Sequence, residues 1–279
     1  MTTDRGPGRV AGKVAFITGA GRGQGRSHAV RLAEEGAAVI AVDICAPVDS
    51  IPYPLATEAD LAETVRAVEA VGGRILARVA DVRDGAAMRQ ALDDGLDSFG
   101  QLDIVLANAG VAPVGPDITP GERTWQDVLD INLTGVWRTV KLTAPQLIDQ
   151  GEGGAIVVTS SAAGLKPLGT DFAGTEGYVA AKHALVGLMR NFATWLAPHE
   201  IRVNSVHPSG VATPMIDNDA MRAFLSNTTA AVAEAMSNLM PGGPLDPREI
   251  SDAVLWLVSD EARHVTGVAL PVDGGFAIK

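Results

Sequence analysis

Lys13-Val14-Ala15-Phe16-Ile17-Thr18-Gly19-Ala20-Gly21-Arg22-Gly23-Gln24-Gly25 is the stretch on which the reading of the fold turns. Its first half is a short apolar run of strand length. Its second half is a glycine cluster that leads into a segment of helical period, Gly25 to Glu35. Glycines at such a junction let the backbone turn tightly and approach a phosphate at the positive end of the following helix. A glycine triplet alone is weak evidence. Here it has a strand before it, a helix after it, and an acidic residue, Asp43, at the end of the next apolar run, residues 37–44. A carboxylate there can accept hydrogen bonds from the hydroxyls of an adenosine ribose and repels a 2′-phosphate. Arg22 pulls the other way, because a base in the loop could meet that phosphate. Asp43 carries more weight because its role requires that position, so NAD is expected rather than NADP.

The same alternation continues outward from this stretch. Apolar runs at 74–81, 102–110, 153–164, 201–210 and 267–275 read as further strands. Helical segments run from Ala59 to Val71, with Leu61, Val65 and Val68 on one face, and from Gly85 to Phe99. Others run from about Thr124 to Asp149, Gly174 to Leu196 and Pro247 to Ser259. Strands apolar on both faces, each followed by a helix, predict a doubly wound, mostly parallel seven-stranded α/β sheet covered on both sides. No linker or internal repeat divides residues 1–279, so a single domain is expected. Two segments fall outside the rhythm. The connection Cys45–Ala56 carries three prolines and no clear period. Residues 212–244, rich in Met, Ala and Leu, are either two core helices or a mobile apolar lid, and the lid is the expectation.

Composition narrows the function. Among 279 residues the formal net charge is −11, which disfavours nucleic-acid and anionic-membrane partners. The one cysteine, Cys45, permits no intrachain disulfide, and no apolar run has signal-peptide or membrane-spanning length. A cytoplasmic protein is expected. The five histidines form no ligand pattern, so no metal is expected. The acidic pairs Glu34–Glu35 and Asp93–Asp94 read as solvated helix faces. No Gly-x-Ser-x-Gly nucleophile elbow is present.

Aromatics are only 4% of the chain and the tyrosines are two, Tyr53 and Tyr178. Tyr178 and Lys182 stand at i and i+4, on one face of a helix. A phenol titrates near 10, too high for a base at neutral pH, and a neighbouring cation favours its ionised form. A surface Tyr–Lys pair is common, so the pair alone proves little. Ser160 and Ser161, ending the fifth strand, could bond a substrate oxygen, and Asn132 could hold a relay water.

The ordered set TGAGRGQG, ADV, NAG, INLTG, SSAAG, YVAAK and HPSGVATP, spread over essentially the whole chain, resembles the single-domain short-chain dehydrogenase/reductase family, a Rossmann-fold group. The resemblance implies Asn132, Ser161, Tyr178 and Lys182 as a catalytic tetrad, with Tyr178 as acid/base and Lys182 lowering its pKa and binding ribose. It implies cofactor contacts from Gly19, Arg22, Gly23, Gln24, Gly25, Asp43, Ile44, Asp81, Val82, Asn108, Ala109 and Gly110. Pro208, Gly210, Val211 and Thr213 would complete them near the nicotinamide carboxamide. A homotetramer is implied as well. Two features depart from the family: the long Ser161–Tyr178 spacing, read as a surface bulge, and Pro208-Ser209-Gly210 in place of Pro-Gly. AVDICAP, ATEADLAETV and NSVHPSGVATPMI resemble the mycofactocin-associated, carveol dehydrogenase-like branch. That branch implies NAD held without free exchange and electrons passed to mycofactocin. The substrate expected is a small apolar secondary alcohol or ketone, terpenoid- or steroid-like. A non-catalytic NAD-sensing module that binds a partner protein is the alternative. A nucleotide-sugar epimerase is disfavoured by the short chain after the sixth strand.

Overall fold

The computed structural model describes residues 8–279; the first seven residues of the expected domain lie outside it. Seven strands form one parallel sheet in the order β3-β2-β1-β4-β5-β6-β7. They are β1 (Val14–Thr18), β2 (Ala38–Asp43), β3 (Arg74–Val79), β4 (Ile104–Ala107), β5 (Gly154–Thr159), β6 (Ile201–Pro208) and β7 (Ala269–Val272). The chain starts in the middle, winds to one edge, returns and winds to the other. The strand ends around β1 and β4 therefore form the crevice where such sheets bind ligands.

Burial on both faces explains the near-continuous apolar strands. On β1, Val14 and Phe16 pack toward α3 (Gly85–Phe99), α5 (Gly135–Gln150) and α6 (Ala173–Leu196). Ala15 and Ile17 pack toward α1 (Gly23–Glu34), α2 (Glu58–Ala70) and α9 (Pro247–Val258). The period-2 alternation of the strand thus feeds two cores at once.

Two departures from the sequence reading bear on the site. The single helix expected from Thr124 to Asp149 is broken. α4 (Gly121–Leu129) passes into a π-helical turn, Asp130–Thr134, before α5 begins, and the Gly135 N–H reaches back to the Asp130 carbonyl. A π turn inserts one extra residue and widens the helix locally, often at functional positions. On α2 the buried residues are Leu61, Thr64 and Val68, with Val65 only half-buried. Thr64 goes inward because its hydroxyl lies 2.9 Å from the Ala20 carbonyl and 3.1 Å from that of Gly21, in the glycine loop.

Residues 212–244 contain α7 (Asp219–Ser226) and α8 (Ala230–Ala235), neither of which joins the sheet layers. The two ends of this segment meet. Ala212 N–H donates to the Leu245 carbonyl at 2.8 Å, and Leu245 N–H donates to that of Gly210 at 2.8 Å. Among the described residues no helix is long and apolar enough to cross a membrane.

His28, on α1, is buried against α9. Its Nδ1 is 2.8 Å from Ser251 Oγ, while its Nε2 has no partner among the described residues. Burial lowers its pKa from 6.5 to about 3. Between those values the unfolded chain binds a proton that the folded chain refuses. Stability is therefore full above pH 6.5 and falls as pH drops toward 3, by at most about 1.4 kcal/mol per pH unit. Urea unfolding followed from pH 8 to pH 4 is expected to show this limb in the native sequence, and His28→Gln is expected to flatten it.

Candidate active site

The carboxyl ends of β1, β2, β4 and β5 open into a cleft of about 1080 Å³, solvent mouth included, large enough for a dinucleotide with a small molecule beside it. At one end lies the glycine loop. Gly19 and Gly23 have left-handed φ of +67° and +55°. A Cβ on Gly19 would meet the Ala109 Cα at 2.8 Å, and one on Gly25 would meet the Gly19 carbonyl oxygen at 2.0 Å. The loop is thus packed backbone to backbone, with the N-terminus of α1 facing the cleft. Gln24 contributes a buried Oε1 that has no partner among the described residues.

Asp43, at the end of β2, accepts the Gly21 N–H at 2.9 Å on one oxygen and the Cys45 N–H at 3.2 Å on the other. Arg22 donates to the Pro54 carbonyl. Its guanidinium therefore holds the 45–56 connection rather than standing open at the ribose. Ile44, Asp81 and Val82 complete this end of the cleft. The Asp81 carboxylate is paired with Arg83 at 2.7 Å. Cys45 turns the chain out of β2 with φ +51°, and burial beside Asp43 pushes its thiol up to about 12, leaving it neutral and unreactive.

The 45–56 connection is a strap across the cleft. Val48, Ile51 and Tyr53 are buried in the core. Ser50 Oγ donates to Asp127 at 2.7 Å, Arg123 pairs with Asp49 at 3.2 Å, and the Tyr53 hydroxyl accepts the Ala112 N–H at 2.9 Å. Tyr53 was not foreseen as a site residue. The signal available was that it is one of only two tyrosines.

In the middle of the cleft, Thr18 Oγ1 accepts the N–H groups of Asn108 and Ala109 at 3.0 and 3.1 Å. Asn108 in turn donates from its side chain to the Thr18 carbonyl at 2.9 Å. Beyond it, Asn132 sits in the π turn, fully buried. Its Oδ1 accepts the Val111 N–H and its Nδ2 donates to the Val111 carbonyl, both at 2.9 Å. Both side-chain atoms are therefore committed to the loop after β4.

Tyr178 and Lys182 face the cleft from α6, and β5 is stitched to them. Lys182 Nζ donates to the Thr159 carbonyl at 2.8 Å, and Ser160 Oγ donates to the Lys182 carbonyl at 2.9 Å. Ser160 is thus occupied structurally, whereas the Ser161 hydroxyl, near Tyr178, is engaged only by the Ala163 N–H at 3.1 Å and, at 3.5 Å, by the Pro208 carbonyl. Burial raises the Tyr178 pKa, and the nearby Ser161 hydroxyl opposes that shift. Lys182 has its Nζ 5.5 Å from the Tyr178 ring centre, and burial depresses its pKa to about 7. Thr213 lines the cleft opposite Gly23, with Pro214 and Met215 beside it. Pro208, Gly210 and Val211 lie behind rather than in the lining, and Val211 bridges to Leu245. The stretch between Ser161 and Tyr178 forms an irregular, partly exposed bulge over residues 165–172, as the spacing suggested.

A family model described as short chain dehydrogenase matches residues 13–222. The chain belongs to the short-chain dehydrogenase/reductase family. Within it, the chain lies close to a carveol dehydrogenase-like, mycobacterial oxidoreductase branch. An uncharacterized oxidoreductase of Mycobacterium tuberculosis is 56% identical over 268 residues, spanning 96% of this chain and 97% of its own. The (-)-trans-carveol dehydrogenase of Rhodococcus erythropolis is 48% identical over 281 residues, spanning 97% and 99%. The crystal structure of carveol dehydrogenase from Mycobacterium avium in complex with NAD superposes with a TM-score of 0.90 at 49% identity, covering 98% of this chain and 100% of that one.

Gly110 stands where a Cβ would lie 2.7 Å from Asn132 Oδ1 and 3.6 Å from Lys182 Nζ. Gly110→Ala is expected to force Asn132 off Val111 and cost about 1–3 kcal/mol. Denaturant midpoints of the two proteins at equal m value check it.

Proposed function

We propose that this protein is an NAD-dependent oxidoreductase that interconverts a small, apolar secondary alcohol and its ketone, of terpenoid or steroid-like character. The observation that carries the proposal is the half-buried Tyr178, with Ser161 near it and Lys182 one helical turn away, at the edge of a glycine-walled cleft. The cleft suits NAD. Its backbone cradle would be filled by any Cβ, Gln24 Oε1 offers an unused acceptor, and Asp43 lies where a 2′-phosphate would be repelled.

When bound, the nicotinamide ring supplies or accepts the hydride. Tyr178 gives its phenolic proton to the ketone oxygen in reduction and takes it back in oxidation, while the Ser161 hydroxyl holds that oxygen in line. Lys182 would face the ribose and, when protonated, would supply positive charge near the phenol. Since the Asn132 side chain is committed to Val111, a relay water at this residue would have to be held by main-chain groups of the π turn.

Residues 1–279 act as one domain, and residues 212–244 act as its substrate lid. Support for the lid is the joined base at Gly210, Ala212 and Leu245, together with the exposed Leu225, Val232, Leu239 and Met240. The apolar substrate is also the kind named for the carveol dehydrogenase relatives. The strap supports a dinucleotide that does not exchange freely and is re-oxidised in place by mycofactocin, as the branch resemblance implies. Exposed Trp137 on α5 and Trp195 on α6 support a homotetramer built on those helices. The single Cys45 supports a cytoplasmic location.

Three outcomes are expected. Protein denatured after extensive dialysis releases near-stoichiometric NAD; empty protein would remove the sequestered cofactor, and NADP would overturn the reading of Asp43. Tyr178→Phe lowers kcat by about 10²–10⁴ with NAD content unchanged, whereas a sensor would keep its function. Because the phenol is raised above its ordinary value, alcohol oxidation in the native enzyme climbs with pH from 7 to 10. A flat profile of initial rates would remove Tyr178 as the base.

A further inference from the structure

β5 ends its hydrogen-bonded ladder one residue too early to hold Ser161. The Ser160 N–H still donates to the Val206 carbonyl of β6 at 2.9 Å, the last rung. Ser161 lies beyond it, extended at φ −163° and ψ 158°, and starts a short 3₁₀ turn, Ala162–Gly164. Strand residues past the last rung fray unless something else ties them down.

That tie comes from His207 on β6. The imidazole is wholly buried, and both its nitrogens are used. Nδ1 lies 2.8 Å from the Ser161 carbonyl oxygen and Nε2 lies 2.8 Å from Ser205 Oγ. A carbonyl oxygen can only accept, so Nδ1 carries the proton, and Nε2 accepts from the Ser205 hydroxyl. Burial lowers the His207 pKa. Lys182 and His183 add to that effect, while the Ser161 carbonyl bond and Asp273 oppose it, so the neutral ring fits its surroundings. The Gly164 N–H also donates to the Ser161 carbonyl at 2.8 Å, which fills both of its lone pairs. The Ser161 hydroxyl, in contrast, is held loosely. It accepts the Ala163 N–H at 3.1 Å and reaches the Pro208 carbonyl only at 3.5 Å. The main chain is thus rigid and the hydroxyl is free to turn toward a ligand.

We propose that His207 is a positioning residue. Its Nδ1–H fixes the Ser161 carbonyl, and with it the place from which the Ser161 hydroxyl meets Tyr178 and the substrate oxygen. The proposal rests on the oxidoreductase reading above. It assigns His207 no contact with substrate or cofactor. An error of about 1 Å in a reacting group costs roughly 10²-fold in rate, so the tie should appear in turnover.

The test uses the full-length protein and three variants, assayed for NAD-linked oxidation of a cyclic secondary alcohol and for bound NAD after dialysis. His207→Leu removes the donor. His207→Asn keeps an amide N–H at the Nδ1 position, whereas His207→Gln moves it toward the Nε2 position. The expected result is a kcat drop of about 10- to 100-fold in His207→Leu and His207→Gln, with NAD content and KM for NAD changed less than about threefold. His207→Asn should recover to within about threefold of the native enzyme. Equal activity in the Asn and Gln variants, an unchanged kcat in the Leu variant, or losses that track NAD content would each overturn the proposal. Should His207→Leu fail to fold, the Asn and Gln pair still decides. Native protein that turns over while Tyr178→Phe does not leaves the oxidoreductase reading standing even if the His207 series fails. A native protein inactive on such alcohols overturns both.

Discussion

A buried lysine ammonium with no carboxylate against it among the described residues sets the terms for the whole cleft. Lys182 Nζ has one protein partner, the Thr159 carbonyl at the last residue of β5. Burying a cation with so little compensation is unfavourable, and the depressed pKa of Lys182 expresses that cost. The strain is tolerable because α6 and β5 are locked together on both sides of it, through Ser160 Oγ and through Lys182 Nζ itself. Ser161, Tyr178 and the mouth of the crevice inherit their relative places from that lock. An anion or a hydroxyl-rich ligand entering the cleft would meet a charge already poised for it.

The second half of the cleft depends on the π turn at Asp130–Thr134. An uninterrupted helix would rotate Asn132 by the equivalent of one residue, away from Val111. The inserted residue turns the side-chain amide onto both backbone groups of Val111, so the loop after β4 is held as if it continued the sheet. The same bulge lets Gly135 approach the end of β3 so closely that a Cβ there would meet Val82 at 2.6 Å. One local irregularity thus fixes two walls.

Much of this is legible in the sequence. Apolar runs bounded by glycines, each followed by a helical segment, give the strands and a parallel sheet covered on both faces, while the spatial order of the strands comes from the structure. The glycine loop, Asp43, Tyr178 and Lys182 announce themselves through spacing and context. The π turn did not, because Thr124–Asp149 keeps an acceptable helical period and the inserted residue shifts phase without changing composition. Thr64 was overlooked in favour of Val65, since hydrophobicity cannot anticipate a hydroxyl drawn inward by two loop carbonyls. Tyr53 and His207 are long-range recruits. Their partners, Ala112 and Ser161, lie 59 and 46 residues away, a separation that no local pattern encodes.

The joined base of residues 212–244 carries a further meaning. Because Gly210, Ala212 and Leu245 close on one another by main-chain bonds, the intervening chain is a loop whose ends are already joined just beyond β6. The entropy of closing such a loop rises only slowly with its length. Beyond Thr213, Pro214 and Met215, which line the cleft, insertions, deletions or replacement should leave its other walls in place. The segment beyond Met215 is in that sense an exchangeable cassette, whose sequence can change while the glycine loop and the α6–β5 lock keep their places.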